Sequence, residues 1–175
     1  LVTHFSKSLG AQKAIHMIPD SVQTFKRDSN GLIELELASG KNIKCKILIG
    51  ADGKNSKVRD FAEIKTKKWD YPQSALTALF SHELDHEDRS TEFHKRSGPF
   101  TLVPLNGRRS SLVWMMPPKE AERISKQSPE PFARLVEKQA HSLLGKMTLE
   151  SQIGLIPMSG LSTDHYAKNQ IAVIG

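Results

Sequence analysis

The order of apolar and polar residues divides the chain into short stretches typical of strands and helices. In the first third, this pattern predicts the end of a helix and four strands bounded by turn residues. The turns at Asn30-Gly31 and Ser39-Gly40 join the last three strands as a meander. The predicted helix covers residues 1–9, and the strands cover 14–17, 21–26, 32–37 and 43–49.

After a short predicted helix over residues 56–62, four more apolar runs predict an antiparallel sheet. Pro117 and Pro118 then start a helix that continues to Ile124, and Pro131 lies near the start of another. Apolar residues recur at helical spacing in the second helix, which is typical of a face that packs on a core. The four strands cover 74–82, 90–95, 101–105 and 110–115, and further strands follow over 147–157 and 171–174.

The stretch from Ile47 to Arg59 combines an apolar strand, a turn with two glycines and a polar segment. The apolar residues suit a strand covered on both faces, and Gly50 and Gly53 allow a sharp turn and close approach to a ligand. Asp52 could accept hydrogen bonds from sugar hydroxyls, and the planar guanidinium of Arg59 could meet a carboxylate or phosphate. A simpler interpretation, in which Asp52 only caps a strand-turn-helix corner, stays open at this point.

The motif G-A-D-G-x-x-S-x-V-R, which begins at Gly50, resembles the Asp-Gly fingerprint of the flavin-dependent aromatic hydroxylases. This family includes para-hydroxybenzoate hydroxylase. The resemblance implies that Asp52, Gly53 and Arg59 lie against the FAD ribose and pyrophosphate and also serve the nicotinamide cofactor.

Later segments resemble the ubiquinone-biosynthesis branch of this family, and most closely its 2-polyprenyl-6-methoxyphenol hydroxylases. The segments follow one another in order: W-D-Y-x-Q-S-A from Trp69, E-F from Glu92, G-P-F-T-L-V-P-L from Gly98 and R-S-S-L-V-W from Arg109. The resemblance covers nearly the whole chain. It implies an FAD- and NAD(P)H-dependent monooxygenase that uses molecular oxygen to hydroxylate a polyprenylated phenol in ubiquinone biosynthesis.

Two departures from the family pattern indicate an internal fragment of a larger enzyme. The chain lacks the G-x-G-x-x-G turn that binds the FAD diphosphate, and it begins with Leu1. It also ends at Gly175, which matches the first residue of a second Gly-Asp motif and is therefore assigned to cofactor binding by resemblance. We expect the fragment alone to be inactive and to retain no FAD.

The expected fold class is mixed, α+β with α/β. Part of a Rossmann-like FAD-binding domain would carry an inserted antiparallel substrate domain flanked by helices. Residues 1–65 would form the first part of the FAD-binding domain, with the meander and the Asp-Gly motif. Residues 66–161 would form the substrate domain, and residues 162–175 would supply a return strand to the FAD-binding domain.

Composition and charge limit the classes of partner that the chain is expected to bind. The 175 residues carry a formal net charge of +6, which suits attraction to anionic lipid headgroups or simple solubility. The lysines lack interleaved aromatic residues, which argues against nucleic-acid binding. The single Cys45 excludes an internal disulfide and fits a reducing compartment. The resemblance, together with the basic charge, implies a cytoplasmic protein, peripheral on the inner membrane, that works beside other ubiquinone-biosynthesis proteins.

Candidate pocket residues lie on the predicted sheet. Gly98-Pro99 could give a ring system close access, or could set strand register in a tight turn, and both interpretations stay open. Apolar strand positions could line the pocket, although alternate residues should face the other way. These candidates are Leu102, Val103, Leu112 and Trp114, and no catalytic acid or base is identified.

The segment from His82 to His86 satisfies the H-E-x-x-H pattern of zinc peptidases. It follows a predicted strand and lies among charged residues, so a surface turn explains it better than a helix, and no metal site is assigned. Two other functions are kept beside the leading one. These are a related flavin hydroxylase with another aromatic substrate, and a non-catalytic binding or assembly module that keeps the flavoprotein fold.

Overall fold

The computed structural model describes residues 2–174, which form two compact units. Among the described residues, one unit comprises 2–67 with 162–174, and the other comprises Lys68–Leu161. In chain order the elements are α1 (Val2–Gly10), β1 (Val22–Arg27), β2 (Ile33–Leu37), β3 (Asn42–Cys45), β4 (Leu48–Gly50), α2 (Lys57–Phe61), β5 (Thr66–His82), β6 (Thr91–Lys95), β7 (Gly98–Leu105), β8 (Arg109–Met116), α3 (Pro118–Ser125), α4 (Pro129–Gln139), β9 (Met147–Leu149), β10 (Gly154–Thr163), β11 (Ala167–Lys168) and β12 (Ile171–Val173).

The first unit contains the predicted meander and a second small sheet. Strands β1, β2 and β3 pair antiparallel in sequence order, and Gly31 and Gly40 take positive φ in the connecting turns. In the second sheet β12 lies between β11 and β4 and runs parallel to β4. The core of this unit consists of Ile33, Leu35, Val58, Ala62, Ile64 and Ile171.

Two strand predictions in this unit are wrong. Residues 14–17 form no strand, and Ile15 and Met17 are exposed, because a short apolar stretch cannot form a ladder without a neighbouring strand. The predicted strand over 43–49 is two strands, β3 and β4, which belong to different sheets. The local apolar pattern could not reveal this division. Strand β3 pairs with β2 and β4 pairs with β12, and these two partners lie far apart in sequence.

The second unit confirms the predicted antiparallel sheet. The strand order is β10-β5-β8-β7-β6, and β9 also pairs with β5. Helices α3 and α4 contribute buried residues to the core that covers one face of the sheet, where Phe80 and Phe132 pack with ring centroids 5.8 Å apart. The strand predicted over 147–157 is divided into β9 and β10. Within the described residues, no helix is both long and apolar enough to span a bilayer.

Candidate functional site

The Asp-Gly turn lies at the end of two neighbouring parallel strands. Gly50, the last residue of β4, pairs with Val173 of β12, and its carbonyl accepts a hydrogen bond from the Ile174 N–H at 2.8 Å. The five residues from Ala51 to Asn55 follow and are exposed. Ligands of α/β sheets bind outside the carboxyl ends of the strands, and this turn occupies such an edge.

Asp52 organises the connection from β4 to α2. Its Oδ1 accepts a hydrogen bond from the Ser56 hydroxyl at 2.5 Å, and its Oδ2 accepts one from the Val58 N–H at 3.3 Å. Ser56 is the N-cap of α2, and its Oγ accepts from the Arg59 N–H at 3.0 Å. Ser56 was not among the predicted site residues, although a serine directly before the first turn of a helix is a typical N-cap residue.

The carboxylate of Asp52 keeps acceptor capacity for a ligand. It offers about four lone-pair positions and lies in an exposed stretch, where the backbone N–H groups of Asp52 and Lys57 also approach it beside the Ser56 hydroxyl and the Val58 N–H. Burial raises the pKa of Asp52, but hydrogen bonds from the Ser56 hydroxyl and the Val58 N–H outweigh it and hold that pKa below the usual 3.8. The group is therefore an anion at neutral pH. The capping interpretation is correct in part, since Asp52 also stabilises the start of α2.

This depressed pKa predicts a specific acid sensitivity. The stabilising contribution of Asp52 is present above the unfolded-state pKa and is lost as the pH falls through the lower folded-state pKa. We expect the free energy of unfolding of Asp52→Asn to fall less steeply than that of the wild type between about pH 5 and pH 3. Urea unfolding at several pH values measures this difference, and parallel pH profiles would contradict the prediction.

Glycine is favoured at the two positions of the turn for different physical reasons. A Cβ on Gly50 would lie 2.7 Å from the Val58 Cβ and 3.3 Å from Asp52 Oδ1, so only glycine lets α2 pack this closely on β4. Gly53 has a φ of +76°, and a Cβ there would meet nothing within 4 Å. The backbone at Gly53 is consequently open for the approach of a ligand.

Arg59, predicted to bind the cofactor, is a largely buried residue. Its residue surface is only 6% exposed, and its guanidinium donates to the Lys54 carbonyl at 3.0 Å. Its Nε is buried and has no hydrogen-bond partner among the described residues. The main contact of Arg59 therefore fastens the Asp-Gly turn, and one buried donor is left over. Gly175, the fourth predicted cofactor contact, lies outside the described residues.

The sheet of the second unit separates the predicted pocket residues by face. Leu102, Leu112 and Trp114 are buried in the core. All three lie on the side of the sheet that α3 and α4 cover, because alternate strand positions point in opposite directions. Their assignment to a substrate pocket stays a prediction. Val103 lies on the opposite face and is 39% exposed.

Gly98 and Pro99 begin β7 beside the backbone of β8. Gly98 has a φ of +136°, and a Cβ there would lie 2.7 Å from the carbonyl oxygen of Met115. Close strand approach therefore explains this glycine, as the register interpretation expects. Pro99 is half-buried and pairs with His94 on β6.

The H-E-x-x-H segment is the turn that the sequence predicted. His82 ends β5, and residues 83–90 contain no helix. The buried ring of His82 contacts the Leu84 carbonyl through Nδ1 at 2.7 Å and the Ser110 hydroxyl through Nε2 at 3.0 Å. Because both ring nitrogens have protein partners, the packing of the turn accounts for this histidine.

The Asp-Gly turn fits the sugar and diphosphate part of FAD. It presents an exposed carboxylate, an open glycine backbone and a nearby buried guanidinium donor at the carboxyl edge of a parallel strand pair. Sugar hydroxyls can donate to the carboxylate, and backbone N–H groups can bind a diphosphate.

Comparison with known proteins agrees with this geometry. The chain is 38% identical over 102 residues to the mitochondrial ubiquinone biosynthesis monooxygenase COQ6 of Danio rerio, a match that covers 57% of this chain and 21% of that protein. It is 30% identical over 158 residues to 3-demethoxyubiquinol 3-hydroxylase of Escherichia coli, with 90% and 40% covered. The chain thus spans about a fifth to two fifths of these relatives. The predicted resemblance to the ubiquinone-biosynthesis branch is confirmed.

The fold has a counterpart among solved structures. The crystal structure of PqsL, a probable FAD-dependent monooxygenase from Pseudomonas aeruginosa, superimposes with a TM-score of 0.77 at 21% identity. The match covers 99% of this chain and 50% of that one, and it confirms the predicted mixed fold class. The family model described as FAD binding domain matches residues 19–175. This chain belongs to the FAD binding domain family.

Proposed function

We propose that the protein containing this chain is an FAD- and NAD(P)H-dependent monooxygenase that hydroxylates a polyprenylated phenol in ubiquinone biosynthesis. The observation that carries the proposal is the Asp52 turn at the carboxyl edge of β4 and β12, within a chain of the FAD binding domain family. The substrate class is supported by similarity to a ubiquinone biosynthesis monooxygenase and a demethoxyubiquinol hydroxylase. Molecular oxygen is the proposed co-substrate.

In this proposal the first unit holds the cofactor. Asp52 accepts hydrogen bonds from ribose hydroxyls, and the open backbone at Gly53 approaches the diphosphate. Arg59 fastens the turn through Lys54 and offers its remaining Nε donor. When bound, FAD supplies the oxygen activation that amino-acid side chains do not provide. NAD(P)H is the proposed reductant.

The second unit provides the proposed surface for the aromatic substrate. The sheet face opposite α3 and α4 carries half-exposed Thr101, Val103 and Val113. On β5 the exposed aromatics Trp69 and Tyr71 lie edge to face, with ring centroids 6.4 Å apart. The indole of Trp69 lies over Gly160 of β10, where any Cβ would collide with the ring. Such an exposed sheet face with apolar and aromatic side chains suits a ring substrate.

If the substrate binds on this face, a substitution there should change the KM for the phenol without changing the affinity for FAD. Replacing Val113 with aspartate places a charge on the exposed face without altering the core. We expect the KM for the phenol to rise about tenfold, because a desolvated charge against an aromatic ring costs at least about 1.4 kcal/mol. FAD affinity should stay unchanged. Steady-state kinetics and flavin titration measure the two quantities, and an unaltered KM would contradict the assignment.

Peripheral membrane binding is part of the proposal, because the substrate carries a lipid tail. Lys65, Lys67 and Lys68 are exposed and precede the exposed Trp69 along the chain. Lysines near an anionic surface contribute about 1 kcal/mol each. We expect co-sedimentation with phosphatidylglycerol vesicles at low salt, and loss of most binding when Lys67 and Lys68 are changed to glutamate. Indifference of the wild type to these vesicles would count against the proposal.

The deciding experiment is an activity assay on the complete protein. We expect it to bind FAD and to oxidise NAD(P)H faster when a prenylated phenol is added under air, with a hydroxylated product detected by mass spectrometry. Hydroxylation of a different ring compound alone would favour a related flavin hydroxylase. Failure to bind FAD would favour the interpretation of the protein as a non-catalytic binding or assembly module.

A further inference from the structure

A cavity lies in the second unit, on the helix-covered side of its sheet. It measures about 340 Å³, and its lining includes Leu84, Leu102, Ser110, Leu143 and Leu144. We call it the leucine cavity. Leu102 and Ser110 are core-facing positions that alternate along their strands with Val103 and Ser111, so the cavity is separate from the exposed sheet face.

The mouth of the leucine cavity is apolar and its rim is charged. Leu84 and Leu143 line it and are 50% and 49% exposed, whereas Leu102 and Leu144 are buried. Exposed leucines beside a cavity leave apolar surface that a ligand can cover. At the rim, Glu87 pairs with Arg89 at 2.9 Å, and Asp85 adds an exposed carboxylate.

A buried serine defines the polar chemistry of this cavity. The Leu84 carbonyl can only accept, so the Nδ1 of His82 carries the proton that it donates there. The hydroxyl of Ser110 pairs with the Nε2 of His82 at 3.0 Å, and whichever of the two donates, the hydroxyl oxygen keeps at least one lone pair. Ser110 is 1% exposed and lines the cavity. With that lone pair, Ser110 presents a hydrogen-bond acceptor to a bound molecule.

His86 keeps no donor for a ligand. Its Nε2 lies 2.9 Å from the Leu105 carbonyl oxygen and 2.8 Å from that of Gly107, and its Nδ1 accepts from the Asp88 N–H at 3.0 Å. The cavity therefore lacks a buried positive group for an anion among these contacts. A carboxylate entering it would lose its hydration and meet the rim carboxylates of Asp85 and Glu87, and the guanidinium of Arg89 in the lining already pairs with Glu87.

Backbone strain occurs on two sides of the leucine cavity. Glu87 and Asp88 on one side have φ of 51° and 55°, and His141 and Ser142, just before Leu143, have φ of 54° and 53°. Non-glycine residues are uncommon in this region of φ, and they cluster at ligand sites. The strained turns place Leu143 and the acidic rim around the opening.

We propose that the leucine cavity binds a small neutral molecule with an apolar body and a hydroxyl group that donates to Ser110. Its volume matches the lower range of small-ligand sites. The apolar body of the ligand contacts Leu84, Leu102 and Leu143. Its hydroxyl group donates a hydrogen bond to the oxygen of Ser110 inside the cavity. This site does not depend on FAD or on the reaction.

The test uses cyclohexanol as the probe and the complete protein labelled at leucine methyl groups. We expect saturable shifts at Leu84, Leu102, Leu143 and Leu144. Cyclohexanol should bind about tenfold more tightly than methylcyclohexane, because one hydrogen bond contributes about that factor. Cyclohexanecarboxylate should not bind.

Two variants separate binding at the cavity from general adsorption. Leu143→Trp or Leu84→Trp fills the mouth, and because both leucines are half-exposed the fold should tolerate the larger side chain. Either change should abolish the shifts, whereas Leu9→Trp, at an exposed leucine elsewhere, should preserve them. The proposal is overturned if no saturable shifts appear, if both mouth variants bind like the wild type, or if the hydrocarbon binds equally well.

Discussion

Replacing Asp52 with alanine is expected to weaken FAD binding by the complete protein about tenfold to a hundredfold. Hydrogen bonds to a charged group contribute about 1.5–3 kcal/mol each, and the substitution removes the carboxylate proposed to hold the ribose. It also removes the acceptor that holds Ser56 and Val58 at the start of α2. Flavin fluorescence during an FAD titration measures the change.

Asp20 provides a matched control for this substitution. It is also an exposed loop aspartate, and its carboxylate accepts from the Ser21 N–H at 2.8 Å. Its pKa is likewise lowered, chiefly by a hydrogen bond that the carboxylate accepts from Ser39. Asp20→Ala thus removes similar local contacts away from the carboxyl edge of β4. We expect it to leave FAD affinity within about twofold of the wild type, well below the effect of one lost hydrogen bond.

The variant Asp52→Asn distinguishes the effect of the negative charge on FAD affinity from the effect of local structure. The amide keeps an acceptor oxygen for the start of α2 but loses the negative charge and half of the acceptor capacity. Affinity should fall between those of the wild type and Asp52→Ala. Equal FAD affinity in the wild type, Asp52→Asn and Asp52→Ala would remove Asp52 from the proposed site while leaving the family assignment intact.

Gly50→Ala is expected to lower the free energy of unfolding by about 1–3 kcal/mol, the usual range for overpacking. The new Cβ would lie 2.7 Å from the Cβ and 2.8 Å from the Cγ1 of Val58. Val58 is buried in the core of the first unit, so α2 must move away from β4. That movement displaces the Asp-Gly turn, and FAD affinity should fall together with stability.

Gly10→Ala is the control for the second prediction. A Cβ at Gly10 meets nothing within 4 Å, and this glycine ends α1 without a positive φ. The change should be neutral or slightly stabilising, because alanine favours helix over glycine by up to about 1 kcal/mol. Urea unfolding measures both variants. A Gly50→Ala protein as stable as the wild type would show that β4 and α2 are less closely packed than described.

The strongest local signals in the sequence pointed to the candidate turn and predicted the type of most elements. The apolar run before Gly50 and the two turn glycines lie within a few residues of one another, so their physical causes are local. Strand alternation likewise predicted the antiparallel sheet, and helical spacing predicted α4. The Asp-Gly motif with its following segments was sufficient to identify the family.

Contacts between distant residues decided the rest. Only tertiary structure could place β12 parallel to β4, separate β3 from β4, or bury Arg59 beneath the turn it fastens. The same holds for the sheet faces, since alternation says that Leu112 and Val113 point opposite ways but not which side α3 and α4 will cover. Sequence by itself determined the local conformations and the chemistry at Asp52. Pairing and burial, which depend on partners far along the chain, determined where that chemistry is exposed.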